Sequence, residues 1–114
     1  MRDNKLYLIH ILESIGRIED YTREGKIAFL HDTKTQDAVL RNLQTLAEST
    51  QRLTSDLKLS NAQVSWERIA GFRNVVVHDY LGINMVRVWE IIEQHLPNLK
   101  SQVEAVLEHH KNSQ

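Results

Sequence analysis

Nine consecutive residues, Phe72-Arg73-Asn74-Val75-Val76-Val77-His78-Asp79-Tyr80, set a permanent cation, an amide, an imidazole and a phenol around an apolar triplet. Arg73 can grip a phosphate through paired N–H donors, and His78 can exchange a proton near neutral pH. Asn74 can hold either group by its amide, and Tyr80 offers a hydroxyl for modification. In a regular helix five residues turn a side chain by about 500°, which leaves Arg73 and His78 about 140° apart. They converge only if His78 lies at a helix C-terminus while the long arginine swings back. Gly82 makes such an end reasonable, and the helix dipole there favours a cationic imidazole. The same residues also fit a surface ion pair at Arg73, a helix cap at His78 and a packed Tyr80, and spacing alone leaves both readings open.

The elements that must position this segment read as helices, because one proline and four glycines in 114 residues leave few breaks. From Lys5 to about Arg23, Leu8, Ile11, Leu12, Ile15 and Ile18 form an apolar stripe opposite Glu13, Arg17 and Asp20. Gly25 stands where that helix would stop; Ile27 to Leu30 make a short apolar connection, and Asp32 and Thr33 offer N-caps. The spacing of Ala38, Val39, Leu43, Leu46, Ala47, Thr50, Leu53 and Leu57 predicts a second helix from Thr33 to near Leu59. Ser65 can cap a third helix, although Arg68 stands where a capping box would hold Glu or Gln. Trp66, Ile69, Phe72 or Arg73, and Val76 share its inner side, and although Val75-Val76-Val77 would suit a strand by propensity, the reading favours helix. Asn84 can begin a fourth helix with the stripe Met85, Val88, Trp89, Ile92, Leu96, Leu99, Val103 and Val106, kinked at Pro97. The sum is an all-α antiparallel four-helix bundle with a kinked last helix, one domain over residues 1–114 and a frayed tail at 111–114. Apolar surface left over on these stripes would suit burial between two copies in a homodimer.

Composition narrows the function classes. Hydrophobic residues at 41% and charged residues at 25% are ordinary globular values and exclude wholesale disorder. Without cysteine there is neither a disulfide framework nor a thiolate metal site, which fits a cytoplasmic setting. No signal-peptide stretch and no run of roughly 18 apolar residues is present, so neither export nor membrane spanning is expected. A net charge of -1 and a pI near 6.6 argue against a broad basic surface for long nucleic acid, while a small concentrated phosphate site stays compatible.

The longer segment Trp66-Glu67-Arg68-Ile69-Ala70-Gly71-Phe72-Arg73-Asn74-Val75-Val76-Val77-His78-Asp79-Tyr80 closely resembles the signature of HEPN-domain proteins, specifically the HepT-like toxins of prokaryotic toxin–antitoxin pairs. The run Lys34 to Asn42 resembles the start of that family's second long helix, and Val88-Trp89-Glu90-Ile91-Ile92 with Leu96, Pro97 and Leu99 resembles its last, so about Lys5 to Leu107 is covered. The resemblance implies a homodimer whose two Arg73-Asn74-x3-His78-x-Tyr80 motifs face each other across a cleft and cut RNA, either tRNA or mRNA, with no metal or other cofactor. Arg73 and His78 would be catalytic and Asn74 supporting. Tyr80 would accept AMP from ATP through a partner nucleotidyltransferase antitoxin. Asp79 departs from the glycine of many relatives; its negative charge beside the phosphate site would weaken RNA affinity. The competing expectation is a non-catalytic module binding a nucleotide or a nucleotidyltransferase subunit, and a third is a helical dimerisation domain in which the motif only caps a helix.

Other residues read as structural. His109 and His110 are adjacent, so they face different ways on a helix and suit a solvated tail better than a metal site. His10 reads as a polar-face or interface residue, His31 as a helix-entry residue and His95 as structural, while Trp66 and Trp89 follow core stripes. Arg41, Arg52 and Arg68 read as solvated helix faces that could extend an RNA track.

Overall fold

The computed structural model of the chain describes residues 3–77 and 84–112. These are almost wholly helical, as the composition requires: α1 (Asn4–Tyr21), α2 (Lys26–Leu30), α3 (Thr33–Gln51), α4 (Ser55–Ser60), α5 (Trp66–Val77), α6 (Met85–Glu90), a π-helical turn (Ile91–His95) and α7 (Leu96–Asn112). Packing of α1 on α3 makes the spine; α3 also carries α5, and α7 lies along α1. The predicted stripes meet inside: Leu8, Ile11, Ile15 and Ile18 of α1 and Val39, Leu43 and Leu46 of α3 are fully buried with Ile69, Phe72, Val88, Val103 and Val106. Each such side chain removed from water contributes about 1.5–3 kcal/mol, enough to override the weak helix propensity of the β-branched residues among them.

The caps act largely as the residue types predict. Asp32 accepts from the backbone N–H groups of Lys34 and Thr35, and Asn84 from those of Val86 and Arg87. Gly25 holds φ +95°, a conformation a β-carbon would disfavour, and it turns the chain from α1 into α2. The connection expected over Ile27 to Leu30 is thus itself a helical turn, whose Phe29 packs against Trp89 with ring centroids 5.6 Å apart. Val75 to Val77 are helical, as preferred over a strand.

Three boundaries differ from expectation. The first helix stops at Tyr21 rather than about Arg23. The second does not run to Leu59: it ends at Gln51, and α4 starts afresh at Ser55. Thr54 takes the N-cap role there, its hydroxyl accepting from Leu57 N–H at 3.3 Å. Asn4 at the start of α1 grips the break from both sides, donating to Thr54 Oγ1 and accepting from Thr54 N–H, each at 3.0 Å. The fourth helix carries its irregularity one turn before Pro97, where the Leu96 N–H reaches back five residues to the Ile91 carbonyl. A proline ring crowds the carbonyl four residues earlier, and widening the preceding turn relieves that clash without stopping the helix. At the tail, Lys111 and Asn112 remain helical.

Candidate active site

Helix α5 presents the signature segment. Ile69 and Phe72 turn inward and are buried, which fixes the rotation of the helix and leaves Arg73 and Asn74 exposed on its outer side. Among the described residues Arg73 makes no ion pair or hydrogen bond, so the surface ion pair that could have explained this arginine is not made there. An exposed guanidinium beside an exposed amide, one turn from the last described residue of α5, can take an incoming phosphate through charge-assisted hydrogen bonds. His78, Asp79, Tyr80 and Gly82 lie outside the described residues.

The opposite flank of α5 faces α6 and the π-helical turn across a groove of about 340 Å³, lined by Arg68, Phe72, Val75, Arg87, Ile91 and His95, with Gly71 at its wall. Arg68 Nη1 lies 3.5 Å from His95 Nδ1. A guanidinium only donates, so in this contact Nδ1 is on the accepting side. His95, expected to be structural, therefore has a specific cationic neighbour across 27 residues of chain. Sequence reasoning missed Arg87 altogether. The available signal was the four-residue spacing Arg87, Ile91, His95, which puts all three on one helical side.

Elsewhere the structural readings stand. The Trp66 indole N–H is shared between the carbonyls of Lys58 and Asn61, at 3.2 and 3.1 Å, which anchors the start of α5 rather than leaving the ring for base stacking. Arg52 is exposed and lies over the Tyr7 ring, 6.0 Å from its centroid. His10 stands edge-on to Tyr7, and the His31 ring bonds the Ile27 carbonyl at the end of α2 rather than at a helix entry. Among the described residues one carboxyl and one amine depart from ordinary titration. The hydroxyl and backbone N–H of Thr35, then the backbone of Lys34, hold the Asp32 carboxyl below its usual range, and the Glu19 carboxylate raises the Lys100 amine. Among the described residues no helix is long and apolar enough to cross a membrane.

Residues 11–106 match the ribonuclease HepT-like family model. The chain is 35% identical over 104 residues to a probable ribonuclease HepT of Thermococcus cleftensis, covering 90% of this chain and 94% of that protein. It is 30% identical over 106 residues to a protein of Methanocaldococcus jannaschii named "putative RNase", covering 92% of this chain and 97% of that one. A second protein of that organism, named "gamma-glutamylcyclotransferase and putative RNase", is 31% identical over 108 residues; these are 94% of this chain and only 49% of that protein. No solved structure matches the chain.

Proposed function

The chain belongs to the HepT-like ribonuclease family, and on that premise we propose that it is the toxin of a toxin–antitoxin pair, a ribonuclease cutting tRNA or mRNA without a metal ion. The observation that carries the reading is the exposed Arg73, unpaired among the described residues, beside Asn74 on the outer side of α5, immediately ahead of His78 and Tyr80 in the chain. Arg73 neutralises the scissile phosphate and, more strongly, the extra charge of its transition state. Asn74 orients. His78 of one copy takes the proton of the ribose 2′-hydroxyl as that oxygen attacks phosphorus. The bond from phosphorus to the 5′ oxygen breaks, and His78 of a second copy gives the leaving oxygen its proton. The products are a 2′,3′-cyclic phosphate and a 5′-hydroxyl. Two proton transfers need two imidazoles and each motif has one, which supports a homodimer with the motifs facing across a cleft.

Control sits on Tyr80 in the same reading. A nucleotidyltransferase antitoxin transfers AMP from ATP to the phenol oxygen and releases pyrophosphate. The new phosphodiester, two residues from His78, competes for Arg73 and repels RNA.

The test is incubation of the unmodified protein with tRNA and mRNA in EDTA, beside Arg73→Ala and His78→Ala variants matched in fold and oligomeric state. Cleavage by the parent alone supports the assignment. If the parent also leaves both RNAs intact with Tyr80 unmodified by mass spectrometry, the ribonuclease reading is wrong and the non-catalytic binding module replaces it.

A further inference from the structure

The groove between α5 and the α6–π segment concentrates positive charge that no described residue lining it neutralises. Its polar side chains are Arg68, Arg87 and His95, and no carboxylate is among its described lining residues, in a chain whose acidic residues outnumber its lysines and arginines. Neither arginine makes an ion pair among the described residues, although Glu90 stands three positions from Arg87, an ion-pairing distance on a helix. Between these donors the floor is apolar, formed by Phe72, Val75 and Ile91. Both guanidiniums are exposed, so water solvates them in the free protein, and an incoming anion would meet two cationic donors on one groove.

Two further observations point to a ligand. Gly71 lies inside α5, where glycine is a poor helix residue, yet a β-carbon there would meet no atom of the described residues within 4 Å. Internal packing thus gives no reason for glycine, whereas close approach of a ligand to the backbone would. Secondly, His95 is brought to the groove by a π-helical turn, a departure from α-geometry common at functional sites. Arg68 stands at its Nδ1, which leaves Nε2 as the ring nitrogen for a ligand.

The geometry points to a second phosphate site: the groove takes a backbone phosphate of the RNA outside the scissile position, held by Arg68, Arg87 and His95, with a base or ribose on the Phe72–Ile91 floor. This extends the ribonuclease reading and rests on it for the identity of the anion. The two are separable by measuring binding and cutting independently. In a His78→Ala background, the affinity of a labelled oligouridylate of about 12 nucleotides is followed against salt for the unchanged groove, for Arg68→Gln/Arg87→Gln, and for Gly71→Leu. The last fills the groove without altering charge. The double substitution should weaken binding about tenfold at low salt and flatten the salt slope by about 0.7, the value for one single-strand phosphate left without its arginines. Gly71→Leu should weaken binding with the slope preserved and with thermal stability undiminished. Unaltered affinity and slope in the folded double variant would overturn the proposal. So would a shift of that variant from dimer to monomer in sedimentation with unaltered RNA binding per folded chain, which would make the groove a subunit interface. Groove-dependent binding by a parent that cuts no RNA would sink the ribonuclease reading alone, and RNA cutting by the parent with an unchanged slope in the variant would sink only the groove.

Discussion

The break between α3 and α4 should be held by a three-bond clamp whose parts can be counted. Asn4 donates to Thr54 Oγ1, Thr54 N–H donates to Asn4 Oδ1, and Leu57 N–H donates to Thr54 Oγ1. All three are part-buried, so each is assigned the usual net value of about 1 kcal/mol. Asn4→Ala removes the first two and should destabilise by about 2 kcal/mol. Thr54→Ala removes the first and third, again about 2 kcal/mol. The double variant loses each bond once, about 3 kcal/mol, so the singles overcount by about 1 kcal/mol, the shared side-chain bond. For a chain of this length about 4 °C of midpoint accompanies each kcal/mol, so either single variant should melt about 8 °C lower. Urea and thermal unfolding followed by far-ultraviolet circular dichroism measure all three, with an unchanged urea slope certifying that the unfolded reference is the same. Strict additivity of the two substitutions, or a melting shift below about 2 °C for Asn4→Ala, would show that the clamp does not set the break.

Three other outcomes follow from the same structure. Arg73→Ala should shift urea stability by no more than about 0.5 kcal/mol, because the side chain is exposed and unpaired among the described residues, while RNA cleavage is lost; a larger loss of stability would assign the arginine a structural task. Thr35 holds the Asp32 carboxyl below its ordinary value of 3.8, so the stabilisation is present above that value and is lost as pH falls through the folded one. The melting gap between the parent and Asp32→Ala should therefore be widest near neutral pH and narrow on acidification; a gap constant with pH would contradict the assignment. Finally, a purified heterodimer with one His78→Ala subunit should lose RNA cleavage as fully as the doubly substituted dimer, whereas half-activity would mean that each copy works with its own histidine.

Periodicity carried most of the fold because the core is made by helix stripes. Leu8 to Ile18, Val39 to Ala47 and Val88 to Val106 announce their inward faces locally, and those faces are buried. What it could not carry was set by residues distant in sequence. Leu53 and Leu57 continue the α3 stripe and are buried, so the pattern reads straight through a break that Asn4 holds from 50 residues away. Pro97 signalled an irregular last helix, but local sequence could not say that the preceding turn would widen to π-geometry. At the candidate site, Arg73 and Asn74 were legible as a dense run of unlike polar groups. The groove was not: Arg68 and His95 each looked like an ordinary surface residue until folding set them 3.5 Å apart.

The two basic positions of α5 constrain how one RNA strand could use both. On an ideal helix Arg68 and Arg73 are about 140° apart around the axis and about 7.5 Å apart along it. The buried Ile69–Phe72 stripe lies between them on the inner side, so a strand touching both arginines must cross the outer side instead. That outer path runs over Ala70, Gly71 and Asn74, two small residues and a neutral amide. Glu67 lies one residue before the path begins, and from Arg68 to Val77 the helix has no carboxylate at all. Bulk is thus missing along the route that joins the proposed scissile site to the proposed second phosphate site, and exposed Glu67, four positions before Gly71 on the same outer side, sets its N-terminal edge. Arg73 alone would have needed only one clear flank of α5. The small surface beside Gly71 leaves room for a bound chain to continue past the point of cleavage toward Arg68.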